Sequence, residues 1–173
     1  MTFEEIKALL EKHLPDAVVG EDLKASPLVL EVTPAAIYQV CDLLHTHEQC
    51  YFDMLSCLTG LDNGPEAGTM EVIYNLYSIP YDHHLMLRVT LERESAEIAS
   101  VSSIWRTANW HEREAYDMLG IRFLHHPDLR RILLPKDWEG FPLRKDYQGP
   151  ETYHGMTVAY DRDDTAPDDL TKD

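Results

Sequence analysis

Apolar positions in the first half of the chain repeat at clear periods. Phe3, Ile6 and Leu10 fall on one face of a helix, and Pro15 bounds it. Thr2 and Glu5 stand three apart, the spacing of a capping box. Short strands are predicted over Ala17–Gly20 and Leu28–Val32. Thr33-Pro34 then reads as an N-cap with proline at the first helical position, opening a helix that buries Ile37, Val40, Cys41 and Leu44. Three more strands follow. Tyr51–Thr59 has the weakest pattern. Met70–Ser78 places Met70, Val72, Tyr74 and Leu76 on one face. His84–Glu92 places Leu85, Leu87, Val89 and Leu91 on one face and Met86, Arg88 and Thr90 on the other. Asp62-Asn-Gly-Pro65 and Pro80-Tyr-Asp82 carry turn residues, so these three strands are expected to form an antiparallel meander with one face on the core.

A short helical piece is predicted within Ser95–Thr107. Asn109 reads as the N-cap of a further helix, with Glu112 three residues on. That helix runs to Leu119, and Gly120 supplies the left-handed residue that ends it. Arg113 and Asp117 stand four apart and are expected to pair on its surface. Beyond residue 125 no period persists, and Pro127, Pro135, Gly140 and Pro142 break any long helix. The predicted fold is α+β: an antiparallel-rich sheet with helices packed on one face, then a long irregular C-terminal arm. The predicted organisation is a compact domain over 1–124, an extended docking arm over 125–160, and an acidic tail over 161–173 with the composition of a disordered segment. An arm without regular hydrogen bonding must find partners elsewhere, and another subunit is the expected one.

Charge sharpens this picture. The net charge is −16, yet eight of the 15 Lys and Arg residues lie within 104–147. A chain this acidic is unsuited to nucleic acid or to an anionic membrane surface, so clustered arginines point to a protein partner. No run of 18 apolar residues exists, and the N-terminus lacks a basic segment followed by an apolar one. The expected location is therefore cytoplasmic. Cys41, Cys50 and Cys57 form no C-x-x-C, and three thiolates cannot complete a four-cysteine cluster site. They are expected to be reduced and buried.

Candidate chemistry is sparse. His111-Glu112 fails as a zinc motif because Ala115 stands where a second histidine would be needed. His45-x-His47, His83-His84 and His125-His126 have no ligand set around them and are expected at the surface or in turns. Glu112 shares a helix face with Ala115 and Leu119, and a carboxylate there needs a cation; Arg130 or Arg131 is the candidate. Arg130-Arg131 and Arg144-Lys145-Asp146 lack the glycine-rich loop of a nucleotide cradle and fit an interface better.

Four ordered blocks carry a resemblance. They are Glu112-Arg113-Glu114; Asp117-Met-Leu-Gly120-Ile; His126-Pro-Asp128-Leu-Arg130-Arg131-Ile-Leu; and Gly140-x-Pro-Leu-Arg144-Lys145-Asp146-Tyr. Together they resemble the signature of the C subunit of the proton-translocating NADH:quinone oxidoreductase, respiratory complex I. Leu119 stands where many members carry Phe. The resemblance implies a non-catalytic subunit with no cofactor in this chain. FMN, iron–sulfur clusters and quinone would belong to the whole complex, and NADH would be met only through it. It implies subunits D, B and I as neighbours, peripheral association with the cytoplasmic side of the inner membrane, and a stand-alone protein rather than a fusion with D. It also implies interface or structural roles for Glu112, Arg113, Glu114, Asp117, Gly120, His126, Asp128, Arg130, Arg131, Arg144, Lys145 and Asp146. The same module in a membrane-bound hydrogenase, or in a ferredoxin- or F420H2-dependent quinone reductase, is the alternative.

Overall fold

A computed structural model describes residues 1–158. The acidic tail predicted over 161–173 lies outside the described residues. Helix α1 (Phe3–His13) starts where the spacing places it: the Thr2 backbone N–H donates to Glu5 Oε2 at 2.8 Å, and Glu5 N donates to Thr2 Oγ1 at 3.3 Å. Strand β1 (Val18–Asp22) and β2 (Val29–Val32) pair antiparallel at one edge of the sheet. A 3-10 turn, Pro34–Ala36, leads into α2 (Ile37–Thr46). Proline starts it as expected, but Thr33 makes no side-chain cap bond.

The strands β3 (Met54–Asp62), β4 (Thr69–Ser78) and β5 (His83–Glu92) form the expected antiparallel meander. Its weak-patterned strand begins three residues later than the spacing suggests, and a register shift between Leu55 and Cys57 explains the faint alternation. The full sheet runs β1-β2-β5-β4-β3, with β2 parallel to β5 after the connection through α2, β3 and β4. Tyr74, Leu76, Leu85, Leu87 and Val89 are sealed in the core with Ile37, Val40 and Leu44 of α2 and Ile6 and Leu10 of α1. Each such side chain contributes about 1.5–3 kcal/mol by leaving water.

The predicted helical piece between 95 and 107 is absent. Glu97–Ala99 is strand β6, and it pairs in parallel with β7 (Arg122–Leu124), burying Ile98 and Phe123 side by side. Turns then carry the chain into α3 (Ala108–Leu119), which lies against β3. Two bonds fix that approach: Trp105 Nε1 donates to Phe52 O at 3.0 Å, and Thr107 Oγ1 donates to Leu55 O at 3.3 Å. Gly60 makes room for α3, since a Cβ there would stand 2.6 Å from Leu119 Cδ1. Asn109 is not the N-cap. The helix opens at Ala108 with no side-chain cap, and Glu112 is occupied elsewhere.

Between β7 and residue 158 the chain is irregular except for a small ladder of β8 (Thr152–Tyr153) and β9 (Met156–Thr157). Cys41 and Cys50 are buried thiols, whereas Cys57 is only half-buried, because it faces the open side of the sheet opposite Asn75. No helix among the described residues is long and apolar enough to cross a membrane.

Candidate docking site on helix α3 and the arm

Helix α3 turns two faces to protein. Glu112, Ala115 and Leu119 point into the body, while Arg113 and Asp117 point to the arm. The expected Arg113–Asp117 surface pair does not form, because both side chains are buried with other partners. Asp117 Oδ2 accepts three consecutive backbone N–H groups, from Ile132 at 2.9 Å, Leu133 at 2.7 Å and Leu134 at 3.1 Å. Its Oδ1 accepts from Arg131 at 3.0 Å. Burial alone would raise this carboxyl. The three N–H groups and the arginine outweigh burial and hold it below its ordinary value. The exchange is reciprocal: an irregular segment with three orphan donors is satisfied by one carboxylate.

Gly120 ends α3 with φ 81°. A Cβ at that position would stand 2.6 Å from the Phe141 ring, so the residue provides both the left-handed turn and the seat for the arm. Arg144 Nε donates to Leu119 O at 2.7 Å, satisfying a carbonyl at the helix end. Phe141 lies within reach of two guanidinium groups, Arg144 at 4.8 Å and Arg131 at 5.3 Å from the ring centre.

A second latch joins the arm to the far end of the sheet. Asp62, the last residue of β3, takes Arg93 Nε at 2.8 Å and the Lys145 backbone N–H at 2.8 Å. The buried Arg93 also pairs with Asp146. Arg93 holds the Asp62 carboxyl far below the usual carboxylate range, against a smaller opposing effect of burial. Sequence reasoning missed both residues. Asp62 looked like turn chemistry only. The available signal was Arg93 itself, one of only five basic residues in the first 103.

The predicted site residues thus divide. Arg113, Asp117, Gly120, Arg131 and Arg144 converge on the α3–arm seam, where Arg113 Nε also donates to Arg130 O at 3.3 Å. Lys145 and Asp146 converge on Asp62 and Arg93. Arg130 points outward, with Asp128 as its partner at 2.9 Å. Glu114 is exposed and apart. Glu112 does not meet Arg130 or Arg131. It accepts from Ser100 Oγ and Val101 N instead. His126 is not a surface histidine: its side chain is sealed, with Nε2 3.2 Å from Asn109 O, while Nδ1 accepts from Asp128 N at 3.0 Å. The arm's polar groups therefore find many of their partners on its own body, not on another subunit. Among the described residues, no three His, Cys, Asp or Glu side chains gather as a metal site.

Three large apolar side chains also face solvent along this seam. Trp110 is 62% exposed, Leu133 59% and Leu143 60%. All three stand on α3 or against it: Arg113 stacks 5.0 Å from the Trp110 ring, Leu133 is fixed by Asp117, and Leu143 N donates to Met118 O at 3.0 Å.

Known proteins are similar to this chain in sequence and fold. Residues 30–153 match the family of the respiratory-chain NADH dehydrogenase, 30 Kd subunit. The C subunit of NADH-quinone oxidoreductase from Chlorobium phaeobacteroides is 49% identical over 118 residues, covering 68% of this chain and 70% of that one. Its counterpart from Chloroherpeton thalassium is 42% identical over 156 residues, covering 88% and 63%. The chain thus spans about two thirds of the length of these curated relatives. A trypsin-resistant fragment of Nqo5 superposes with a TM-score of 0.58 at 27% identity, covering 72% of this chain and 98% of the fragment. A chain of an archaeal respiratory membrane complex, the membrane-bound sulfane sulfur reductase, shares the fold with a TM-score of 0.66 at 23% identity, covering 84% of this chain and 85% of that one. Fold and sequence agree: this chain belongs to the 30 Kd subunit family of respiratory-chain NADH dehydrogenases, whose members include the C subunits of NADH-quinone oxidoreductases.

Proposed function

We propose that this chain is a non-catalytic, cofactor-free brace in the peripheral arm of a proton-translocating NADH:quinone oxidoreductase. It would hold the quinone-reducing module in place while electrons pass from NADH to quinone. The observation that carries this reading is the latched arm. Asp117 and the Asp62–Arg93–Asp146 cluster hold an irregular segment against the body. The segment, without regular structure of its own, then presents Leu133 and Leu143 to solvent beside Trp110 of α3. Exposed apolar side chains on a held surface support a protein-docking role, and a tryptophan stacked by arginine is typical of the residues that dominate interface energy. Subunits D, B and I are the proposed neighbours, and the cytoplasmic side of the membrane is the proposed location, reached through those partners.

The test is a mild-detergent pull-down of the tagged chain from its own membranes, followed by assay of the captured material. Iron–sulfur subunits together with NADH-dependent quinone reduction are expected. The same partners with hydrogen, ferredoxin or F420H2 as the only donor would assign the chain to a related complex. Capture of no redox subunit would sink the reading.

A further inference from the structure

Glu112 is fully buried and, among the described residues, has no Lys or Arg partner. Its Oε1 accepts from Val101 N at 2.7 Å, and its Oε2 accepts from Ser100 Oγ at 2.6 Å. Ser100 Oγ lies 2.8 Å from Ser102 Oγ and also accepts from Ser102 N at 3.2 Å. Ser102 is half-buried and, with the more deeply buried Ser100, borders a cleft of about 640 Å³ between α2 and the turn after β7, which Tyr38, Ser103, His125 and Pro127 also line. A continuous row of hydroxyls therefore joins the buried carboxyl to the surface. The docking seam does not use it. We propose that Glu112 is a proton-binding site that exchanges with solvent through the hydroxyls of Ser100 and Ser102.

The relay balances. A hydronium ion in the cleft gives a proton to Ser102 Oγ and leaves as water, while the proton of Ser102 passes to Ser100 Oγ. The Ser100 proton passes to Glu112 Oε2, and the three hydroxyl and carboxyl hydrogen bonds reverse direction. One proton enters and none is left over. Both end states are satisfiable. In the neutral state Oε2–H donates to Ser100 Oγ, and Ser100 Oγ–H donates to Ser102 Oγ; in the ionised state each donation is reversed. Among the described residues, no Lys or Arg forms an ion pair with this carboxyl. The titratable groups that face Glu112 are Cys41 from α2, Tyr74 from β4 and His126 after β7, whose Nε2 stands 3.8 Å from Oε2. The Tyr74 hydroxyl is itself buried with no hydrogen-bond partner. Burial in this setting pushes the Glu112 carboxyl up to about 7, against the smaller opposing effects of Ser100 and Val101.

This site is independent of the docking reading and is tested on the full chain alone. With side-chain carboxyl carbons labelled, nuclear magnetic resonance should show one glutamate titrating near 7, and Glu112→Gln should remove that signal. Rapid pH-jump infrared spectroscopy should then show protonation of this carboxyl slowed roughly tenfold or more in Ser102→Ala and restored in Ser102→Thr, which returns the hydroxyl. If every glutamate titrates in the ordinary carboxylate range, the proton-binding site is overturned. If the rate is the same in Ser102→Ala, the relay is overturned.

Discussion

Three carboxylates in this protein do different work because their surroundings differ. Asp117 and Asp62 are held ionised by arginine and backbone N–H groups, whereas Glu112 meets only a hydroxyl and one N–H. The pH consequences have opposite signs. For Asp117 and Asp62 the folded values lie below the ordinary 3.8. Their stabilisation is complete above that value and is lost as pH falls through the depressed folded values. For Glu112 the folded value is raised from 4.5 to about 7, so stability declines as pH rises between those values. Burial depresses His83 and His126 below 6.5, which produces an opposing slope. The difference between wild type and Glu112→Gln in urea melts isolates the glutamate. That difference should change steadily from 4.5 to about 7 and stay constant above; a flat difference throughout would refute the assignment. Asp117→Asn should cost about 2–3 kcal/mol in the same melts, since it leaves Arg131 and one or more buried N–H groups without their acceptor. The burial of Glu112 was legible from its apolar helix face, but the partners of these carboxylates were not, because the donors come from segments 11 to 83 residues away.

At the scale of elements, the seam between α3 and the arm is decided by Gly120. The Gly-after-helix pattern was readable, because a left-handed residue after the last apolar position is a local requirement. That the same missing Cβ also seats Phe141 was not readable, since it joins residues 21 apart through space. Gly120→Ala should cost about 1–3 kcal/mol through its positive φ and the ring contact. It should also loosen the arm, so trypsin should cut after Arg130 and Arg131 faster than in wild type, as read by mass spectrometry. An unchanged cleavage pattern would mean that the Asp117 and Asp62 contacts hold the arm without the seat at Gly120. The β6–β7 ladder escaped the pattern for a related reason. Three-residue strands carry too few positions to show a period, and parallel pairing across residues 97 to 124 has no local turn to announce it.

At the scale of the molecule, the arm is part of the body's surface, and the apolar residues left outside face any partner. Trp110→Glu combined with Leu133→Asp should leave folding nearly intact, with a stability change of about 0.5 kcal/mol or less, because both side chains are largely solvated. Co-purification with redox subunits from membranes should be lost. A double variant that still assembles would place the interface elsewhere on the chain. The arginines illustrate the difference between composition and location. Their clustering suggested contacts with another protein, yet Arg131 and Arg144 are engaged within the chain, and Arg130 is the one of the three that points outward.

By itself the amino-acid order determined the α+β class, the faces of β4 and β5, the end of α3 and the family blocks between 112 and 147. These are properties of periodicity, backbone sterics and residue identity, all encoded within a few positions. Only the tertiary structure decided that Asp117 receives the arm, that Arg93 joins Asp62 to Asp146, and that Glu112 is sealed beside Ser100. Those outcomes depend on which distant groups share one buried volume. A buried polar atom takes whichever partner packing brings to it, and no spacing along the chain encodes that choice.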